Sequence, residues 1–600
     1  MTVDTGSITN TKRMRFPGST GDGLEARCGA IMRWFSIALW GVSALLMVGA
    51  TTGASVEHAA LFRDYAVAAD HPEASKAGAE ILAAGGNAAD AAAATMLALG
   101  VVNPASSGLG GGGFALYYSA KDDELTFLDF RERAPAAATP DMFANADGET
   151  PPGPAAAPSQ LGGLAAGVPG EPAGIATLVD RFGSMSLSDV IAPALRLAEK
   201  GFVVSSALAS MGASFEAQLG QDPVMSKWNL APGAMLRRPS LAHVLRLFAM
   251  AGVKELYSGP LGREMAAVVK QRGGIMTFQD LRDYRVVTRE PLNADLFGYR
   301  WVTAPPPSAG GFTMLQSLTI LERVSGGTPV YGAPLLHTMA ESWKGPFIDR
   351  ERYFGDPAQI IQPLDRMMSP NRIEKRAALA AGENANPTEA YDLPLVWTSP
   401  PRASPDNSGT SHLCVVDREG NVAAVTTTVN LPFGARFTAA GIVMNDEMDD
   451  FARGVGEPNA FGLIGGAPNL PGPRKRPVST MSPTIVFKDG KPVLCVGASG
   501  GSRIVTATQQ VAMNVLLFGM DAGRAVDAPR IHHQGFPDKL RVETKAPLDE
   551  ALQKSLRARG HAIESIRNIA NVQAIHIVNR PERRLHAVSD PRKNGSPAGR

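Results

Sequence analysis

Apolar positions change their spacing along the chain. Helical segments separated by loops occupy residues from about 175 to 290, whereas strand-like runs of β-branched and apolar residues dominate from residue 410 onward. Between them, residues 380–409 are rich in Pro, Asn and Ser without a regular pattern, which is typical of a linker. The pattern predicts a helix-rich part and a strand-rich part that meet at 409/410.

Two helices are predicted within residues 72–100, because alanine-dense apolar positions recur there at helical spacing. Gly85 and Gly86 end the first run, and Asn87 is placed to cap the second. Four consecutive glycines, residues 110–113, then precede an apolar strand. Because neither a Lys-Ser/Thr pair nor a helix follows them, we interpret them as a place of close backbone approach and not as a phosphate loop.

A β-hairpin is predicted at the start of the strand-rich part. Residues 410–417 and 421–430 read as two strands on either side of the turn sequence Arg-Glu-Gly. Gly420 is suited to the left-handed conformation that closes a three-residue loop. This turn fixes the register of the two strands.

Counting outward from the turn places Thr410 opposite Thr428, with Cβ atoms about 5 Å apart. His412 and Thr426 share that face, and Asn430 lies one step further along it. A polar cluster therefore gathers at one end of an apolar ribbon. The hairpin alone leaves two interpretations open, a solvated strand end or a functional site.

Composition narrows the class of protein. The chain has 600 residues, of which 44% are hydrophobic and 19% charged, and its formal net charge is +1. This is a globular composition with enough chain for several domains. Because there is no bulk positive charge, we expect no nucleic-acid partner.

The N-terminal region resembles an export signal. Residues 34–50 form an uncharged apolar run that follows Arg33 and precedes small residues. The run also approaches the length of a membrane anchor, and Met32 by itself would begin a compact signal, so both the cleavage and the true start stay open. We expect residues 1–54 to be an extension with a signal peptide or anchor, and the functional part to act in the periplasm or outside the cell.

Cysteine and histidine give little sign of redox or metal chemistry. Of the three cysteines, Cys28 precedes the apolar run, while Cys414 and Cys495 lie in strand-like segments. We expect buried free thiols, with a disulfide between neighbouring core strands as the alternative. The ten histidines include no His-Glu-x-x-His motif, and the pair at 532–533 lacks further spaced ligands. We therefore expect no metal and no other cofactor.

Five stretches of the chain, in order, resemble the γ-glutamyltransferases, which belong to the N-terminal nucleophile hydrolases. They are Leu128–Pro135, Thr410–Asn430, Met444–Phe451, Lys475–Ile485 and Gly497–Ile504. The resemblance extends from about residue 60 to the Ser-Asp-Pro-Arg sequence at 589–592. It implies an α+β fold, a four-layer αββα sandwich formed jointly by two subunits.

The resemblance also implies that the precursor cuts itself between Gly409 and Thr410. A large subunit, 55–409, and a small catalytic subunit, 410–600, would then form a heterodimer. A threonine hydroxyl is a poor nucleophile without a neighbouring base, and a free α-amine with a pKa of about 7.7 to 8.0 is such a base. Cleavage would thus create the general base of the enzyme.

By resemblance, the enzyme transfers the γ-glutamyl group of glutathione or a related compound to water or to an amino-acid or peptide amine. The implied nucleophile is Thr410, held by Thr428, and the implied oxyanion donors are the N–H groups of Gly500 and Gly501. The implied ligands of the glutamyl α-carboxylate are Arg131, Ser479 and Thr480, and those of its α-ammonium are Asn430, Glu447 and Asp450. A guanidinium suits a carboxylate because it donates two parallel hydrogen bonds.

Three residues depart from the family pattern. Thr480 stands where a second Ser is usual, Ser499 replaces a common Pro before the glycine pair, and Phe461 occupies a lid position where some bacterial members have Tyr. These departures leave the donor open. Related branches act on cephalosporin side chains or on poly-γ-glutamate.

Two other functions are compatible with parts of the sequence. Residues 497–501 fit the G-x-S-x-G pattern, so Ser499 is a possible serine nucleophile, with Asp527 and either His532 or His561 as partners. That motif requires a largely parallel sheet, whereas this part begins with an antiparallel hairpin. An exported, inactive protein that binds glutamyl compounds is the second alternative.

Overall fold

The computed structural model describes residues 57–143, 157–395, 409–455, 465–579 and 581–600. The predicted signal at 34–50, Cys28 and Phe461 lie outside the described residues. Residues Val56–Arg600 form one compact unit. In the part of the chain that is described, no helix combines the length and the apolar character needed to cross a membrane.

The strands are numbered in chain order. They are β1 Ala59–Phe62, β2 Ala66–Ala69, β3 Gly112–Ser119, β4 Glu124–Phe130, β5 Phe202–Val203, β6 Met235–Leu236, β7 Val287–Arg289, β8 Leu292–Leu296, β9 Tyr299–Thr303, β10 Gly409–Val416, β11 Val422–Asn430, β12 Thr438–Ala439, β13 Ile442–Val443, β14 Thr484–Lys488, β15 Lys491–Ser499, β16 Ile531–His532, β17 Leu540–Glu543, β18 Ile563–Ile566, β19 Asn571–Val578, β20 Arg584–Ser589 and β21 Ala598–Gly599.

The α-helices are numbered in the same way. They are α1 Pro72–Ala83, α2 Ala88–Val102, α3 Glu171–Phe182, α4 Leu187–Lys200, α5 Ser206–Ser214, α6 Glu216–Leu219, α7 Pro239–Ala251, α8 Lys254–Tyr257, α9 Pro260–Gln271, α10 Phe278–Arg282, α11 Gly310–Ser325, α12 Ala333–Tyr353, α13 Leu364–Met367, α14 Pro370–Ala380, α15 Arg503–Leu516, α16 Ala522–Asp527 and α17 Glu550–Ala558.

Two seven-stranded antiparallel sheets form the centre of the fold. One has the order β21-β2-β10-β11-β3-β4-β7, and the other β1-β20-β19-β15-β14-β9-β8. The sheets pack face to face through β10, β11, β15 and β19. Helices α1, α2 and α3 cover the outer face of the first sheet, and α11, α15 and α16 cover that of the second. The predicted αββα sandwich is confirmed.

Both faces of the hairpin strands are buried, which explains their apolar character. Leu413 and Val415 pack toward the helices, whereas Cys414 and Val416 pack between the sheets. Cys414 and Cys495 are free, buried thiols, as expected. Burial raises the pKa of Cys414 well above its ordinary value, which makes it a poor nucleophile.

The predicted local elements agree with the structure. The Asn87 side chain accepts hydrogen bonds from the N–H groups of Ala89 and Asp90 and caps α2 as expected. The hairpin turn contains Gly420 at φ 93°, and Thr410 pairs with Thr428. The strands differ from the predicted bounds by one residue at the turn, and a bulge lies between Gly409 and Thr410.

Strands from before and after residue 409 alternate within the first sheet. The hairpin β10-β11 lies between β2 and β3, so hydrogen-bonded ladders join it to earlier chain on both sides. The helix-rich and strand-rich parts are therefore not separate domains. Periodicity predicted α1, α2 and the hairpin correctly, but it carries no information on which strands become neighbours.

Candidate active site

Two hydroxyl groups, those of Thr410 and Thr428, form a hydrogen-bonded chain that ends at the carbonyl oxygen of Gly409. The Oγ1 atoms of Thr410 and Thr428 lie 3.0 Å apart, and Thr428 Oγ1 lies 2.9 Å from the carbonyl oxygen of Gly409. The Asn430 N–H donates to Thr428 Oγ1 at 2.8 Å. Because a hydroxyl has one proton, which Thr428 donates to Gly409, the Thr410 hydroxyl must donate to Thr428. This arrangement leaves the lone pairs of Thr410 Oγ1 available.

Glycine is required immediately before Thr410. A Cβ at position 409 would lie 2.6 Å from the carbonyl carbon of Leu431 and 2.7 Å from the carbonyl oxygen of Ala105, closer than real Cβ contacts. Opposite it, Asn430 has φ 76° and ends β11. Close backbone packing and the bulge thus fix the peptide bond between Gly409 and Thr410.

The four-glycine run lies behind this hairpin. A Cβ at Gly111 would be 1.9 Å from the carbonyl oxygen of Thr428, and one at Gly113 would be 2.2 Å from that of Thr426. The interpretation of close backbone approach is confirmed. The glycines support the strand that carries Thr428.

Arg131 is buried among carboxylates, with 1% of its surface exposed. Its guanidinium forms ion pairs with Glu447 and with Asp450, the latter at 2.5 Å, and donates to the carbonyl oxygens of Pro477 and Val478 at 3.3 Å. Burial opposes the charged form, but the carboxylates of Glu447 and Asp450 raise the pKa of Arg131 above its ordinary value. The residues assigned by resemblance to the two ends of a glutamyl group are thus paired with each other.

Two charged residues that the sequence analysis missed, Glu132 and Arg350, border this ion-pair network. Burial raises the pKa of Glu132 to about 7, and that of Glu447 well above its ordinary value, despite the Arg131 charge. Arg350, on α12, lines the same cavity, and burial lowers its pKa. The only signal in the sequence was that Arg350 belongs to the unbroken charged run 349–352, and such a run is usually exposed.

The glycine pair after β15 is linked to the same cavity through Thr480. The Thr480 hydroxyl donates to the carbonyl oxygen of Gly501 at 2.9 Å. Gly500 has φ 149°, and a Cβ there would lie 2.7 Å from Cα of Ala570. Among the described residues, neither Gly500 N–H nor Gly501 N–H has a hydrogen-bond acceptor. Two backbone donors are therefore available near Thr410.

One small cavity collects nearly all the predicted site residues. Its volume is about 20 Å³, room for roughly one water molecule. The predicted residues that line it are Arg131, Thr410, Thr428, Asn430, Glu447, Asp450, Ser479, Thr480 and Gly501. Gly500 lies instead on a neighbouring cleft of about 840 Å³, which Thr410 also lines. Thr410 thus stands between a closed pocket and an open cleft.

Lys593 contacts Thr410 from the side of the open cleft. Its Nζ donates to the carbonyl oxygen of Thr410 at 2.6 Å and to Asp70 at 2.7 Å. Asp70 also accepts hydrogen bonds from Ser499 at 3.3 Å and from Gln573 at 2.5 Å. The sequence analysis missed Lys593 and Asp70, because neither residue lies in any of the five stretches that resemble the family.

The serine-nucleophile hypothesis is wrong in its geometry. Ser499 ends β15 in an antiparallel sheet and donates to Asp70. The proposed partners lie elsewhere: Asp527 contacts His58, His532 contacts Thr506 and His561 contacts His337. Gly497 has a packing reason instead, because a Cβ there would lie 2.3 Å from the His412 ring.

One cluster has the residue types of a metal site. Ligand atoms of His337, Glu341 and His561 lie within 4.8 Å of one another. However, Lys344 Nζ lies 2.7 Å from Glu341 Oε1, and His337 Nδ1 lies 2.8 Å from His561 Nε2. An ammonium group already compensates the carboxylate, so this donor set does not fit a divalent cation.

The comparisons with known proteins identify the family. A family model described as gamma-glutamyltranspeptidase matches residues 74–600. The chain belongs to the gamma-glutamyltranspeptidase family. The resemblance noted from the five stretches is confirmed, and the chain is an enzyme of the γ-glutamyltransferase and hydrolase kind.

Relatives span almost the whole chain. The chain is 38% identical to a glutathione hydrolase proenzyme of Escherichia coli strain K12, over 88% of this chain and 90% of that protein. It is 34% identical to a proenzyme of the same name from Bacillus subtilis strain 168, over 90% and 92%. Among solved structures, a cephalosporin acylase from Bacillus halodurans matches with a TM-score of 0.77 and 27% identity, over 90% and 97%. The similarity in sequence and in fold therefore extends over most of the chain.

Proposed function

We propose that the chain is a precursor that cuts itself between Gly409 and Thr410 and then works as a γ-glutamyltransferase with Thr410 as nucleophile. The observation that carries this proposal is the hydroxyl chain from Thr410 Oγ1 through Thr428 Oγ1 to the Gly409 carbonyl oxygen, with distances of 3.0 and 2.9 Å. It joins the nucleophile to the carbonyl of the bond to be cut.

Self-cleavage follows as an acyl shift. Thr410 Oγ1 attacks the Gly409 carbonyl carbon, and the Thr428 hydroxyl, 2.9 Å from the carbonyl oxygen, supports the negative charge that develops there. The C–N bond breaks and the proton of the Thr410 hydroxyl passes to the departing nitrogen, which leaves an ester. Water then hydrolyses the ester and releases a Gly409 carboxylate, a Thr410 hydroxyl and a Thr410 α-amine.

The mature site then transfers a glutamyl group in two steps. The α-amine takes the proton of the Thr410 hydroxyl, the oxygen attacks the γ-carbonyl, and the proton passes to the departing amine. The N–H groups of Gly500 and Gly501 are the proposed donors to the oxyanion, since neither has another described acceptor. Water or an acceptor amine then releases the glutamyl ester.

The ion-pair network is the proposed site for the glutamyl head group. A zwitterionic head inserted into it would give its α-carboxylate to Arg131 and its α-ammonium to Glu447 and Asp450, so every charge keeps a partner. Ser479, Thr480 and Asn430 complete the set by resemblance. In this pose the head group would replace the contacts between Arg131 and its acids.

Glutathione or a related γ-glutamyl compound is the proposed donor, because the two curated relatives described above are called glutathione hydrolase proenzymes. We also propose that the processed chain is a heterodimer of subunits 55–409 and 410–600. The apolar run at 34–50 supports export to the periplasm or the cell exterior, with retention as an anchor as the alternative.

Intact mass and N-terminal sequencing of the purified protein test the proposal. We expect two chains that purify together, the smaller beginning Thr-Ser-His-Leu, and release of glutamate from glutathione. The Thr410→Ala variant should stay full length and inactive. A single uncut chain that turns over glutathione would contradict the assignment of Thr410. A cephalosporin is assayed in parallel, because the matching acylase structure is that of a cephalosporin acylase. Turnover of the cephalosporin instead of glutathione would contradict the proposed donor.

A further inference from the structure

Cations line the open cleft beside Thr410, which is here called the cationic cleft. Its cations come from the last part of the chain, and they are Arg503, Arg541, Lys545, Arg567, Arg592 and Lys593. Glu564 is the one acid among the described lining residues. Helix α5 also lines the cleft and contributes small, hydroxyl and apolar side chains and no charge.

Part of this positive charge is compensated from behind. Arg592 pairs with Glu543 at 2.6 Å, Lys593 with Asp70 at 2.7 Å, and Arg541 with Glu564 at 3.1 Å. These pairs hold the lining of the cleft together.

Lys545 and Arg567 are different, because both are exposed and no ion pair joins either to an acid among the described residues. Burial and then the Arg567 charge lower the pKa of Lys545, as expected where positive charge is in excess.

Thr410 lines both the closed pocket and this cleft. If the γ-glutamyl head occupies the closed pocket, the amine portion of the donor, and later the acceptor amine, must occupy the cleft. This step rests on the proposed function.

We infer that the cationic cleft recognises carboxylates on the leaving or accepting amine, so the enzyme prefers γ-glutamyl donors and acceptors with anionic amine portions. The reaction itself is unchanged: the γ-amide C–N bond breaks, the ester to Thr410 forms, and the departing amine takes the proton. The carboxylate beyond that amine contributes binding through Lys545 and Arg567.

An isosteric donor pair tests the inference. γ-Glutamyl-glutamate and γ-glutamyl-glutamine differ by one negative charge on the leaving group, and γ-glutamyl-p-nitroanilide has a neutral leaving group. The wild type should show a higher kcat/KM for the glutamate donor. Its advantage over the glutamine donor should fall about tenfold in the double variant Lys545→Gln/Arg567→Gln, which removes two charge contacts.

A matched control removes two exposed lysines elsewhere, Lys375→Gln/Lys554→Gln, and should leave the preference intact. Raising salt from about 20 mM to about 500 mM should also reduce the preference, because screening weakens exposed charge contacts. To separate donor from acceptor recognition, transfer from the neutral anilide to glutamate and to glutamine is compared in the same variants.

The possible failures are distinguishable. If the wild type hydrolyses none of the three donors, the proposed function fails and the inference fails with it. If it hydrolyses the anilide but the cleft variant keeps the full preference for the glutamate donor, or the wild type has no preference, the function stands and the inference is wrong. The exposed positions of both residues make misfolding of the variant a poor explanation of a selective loss.

Discussion

The two spaces that meet at Thr410 differ in how they are built. The closed pocket is small and lined mostly by buried side chains, and Arg131 pairs there with Glu447 and Asp450. The cationic cleft is about 840 Å³ and open, and its lining has six cations and one acid among the described residues. A buried ion pair enforces one geometry, because each partner is costly to leave alone, whereas exposed charges attract without fixing a pose. We therefore expect the pocket to accept only a glutamyl head group, and the cleft to favour some amine portions over others without excluding any.

The largest effect is expected from Thr410→Ala, which removes the nucleophile on which both proposed steps depend. Self-cleavage and transfer should fall by at least about 1000-fold, as seen when a catalytic nucleophile is removed. Ser499→Ala is the matched test of the neighbouring hydroxyl and should keep most activity. Gel analysis and glutamate release measure both. Cleavage in Thr410→Ala at the normal rate would remove Thr410 from the mechanism.

A large but smaller effect is expected inside the pocket. Asp450→Asn removes the charge of one of the two carboxylates proposed to hold the α-ammonium group, so it should lower kcat/KM about 30- to 100-fold, mainly through KM. Asp283→Asn, which breaks an exposed ion pair with Arg474 at 2.8 Å, should change it less than about twofold. Equal losses in the two variants would show that the pocket does not discriminate as proposed.

Thr480 gives a more moderate test of the link between the pocket and the glycine pair. Thr480→Val keeps the shape but loses the hydroxyl that donates to Gly501 at 2.9 Å, so kcat should fall about tenfold. Thr480→Ser keeps the hydroxyl and should retain most of kcat. If Thr480→Val changes KM alone, the hydroxyl serves substrate binding and not the oxyanion loop.

Glu132 gives the smallest expected effect, on stability. Because burial raises its pKa from 4.5 to about 7, the folded state holds a proton that the unfolded state releases between these values. Its contribution to stability is full below about pH 4.5 and is lost as the pH rises through about 7.

Glu132→Gln should therefore raise Tm relative to the wild type by a few degrees at about pH 8, and little at about pH 5. Thermal unfolding of both proteins at the two pH values measures this. A relative gain at the lower pH instead would show that the carboxyl is ionised in the fold.

The sequence predicted those features that depend on local chain geometry or on a family motif. Asn87 as a cap and Thr410 opposite Thr428 follow from helix capping and from a two-residue strand period, and both are confirmed. Arg131 and Glu447 entered by resemblance, which indicates membership in a site but not that the two side chains pair with each other.

Other features depend on contacts between distant parts of the chain, which no period or motif encodes. Arg350 reads as a surface arginine until α12 is known to be buried. The cationic cleft is assembled from α15, from β17 and β18 with the loops after them, and from the segment after β20, with no common spacing between the charges. The alternation of strands on either side of residue 409 is likewise a property of the whole sheet.

The order of synthesis decides when the contact between Lys593 and the carbonyl oxygen of Thr410 can form. A ribosome delivers Asp70 early, Thr410 later and Lys593 only after the strands β14 to β20 have been made. While Thr410 is still emerging, neither Lys593 nor the strands β14, β15, β19 and β20 of the second sheet have been made. A nascent chain arrested before Lys593 would therefore carry the proposed nucleophile, Thr410, in an incomplete setting.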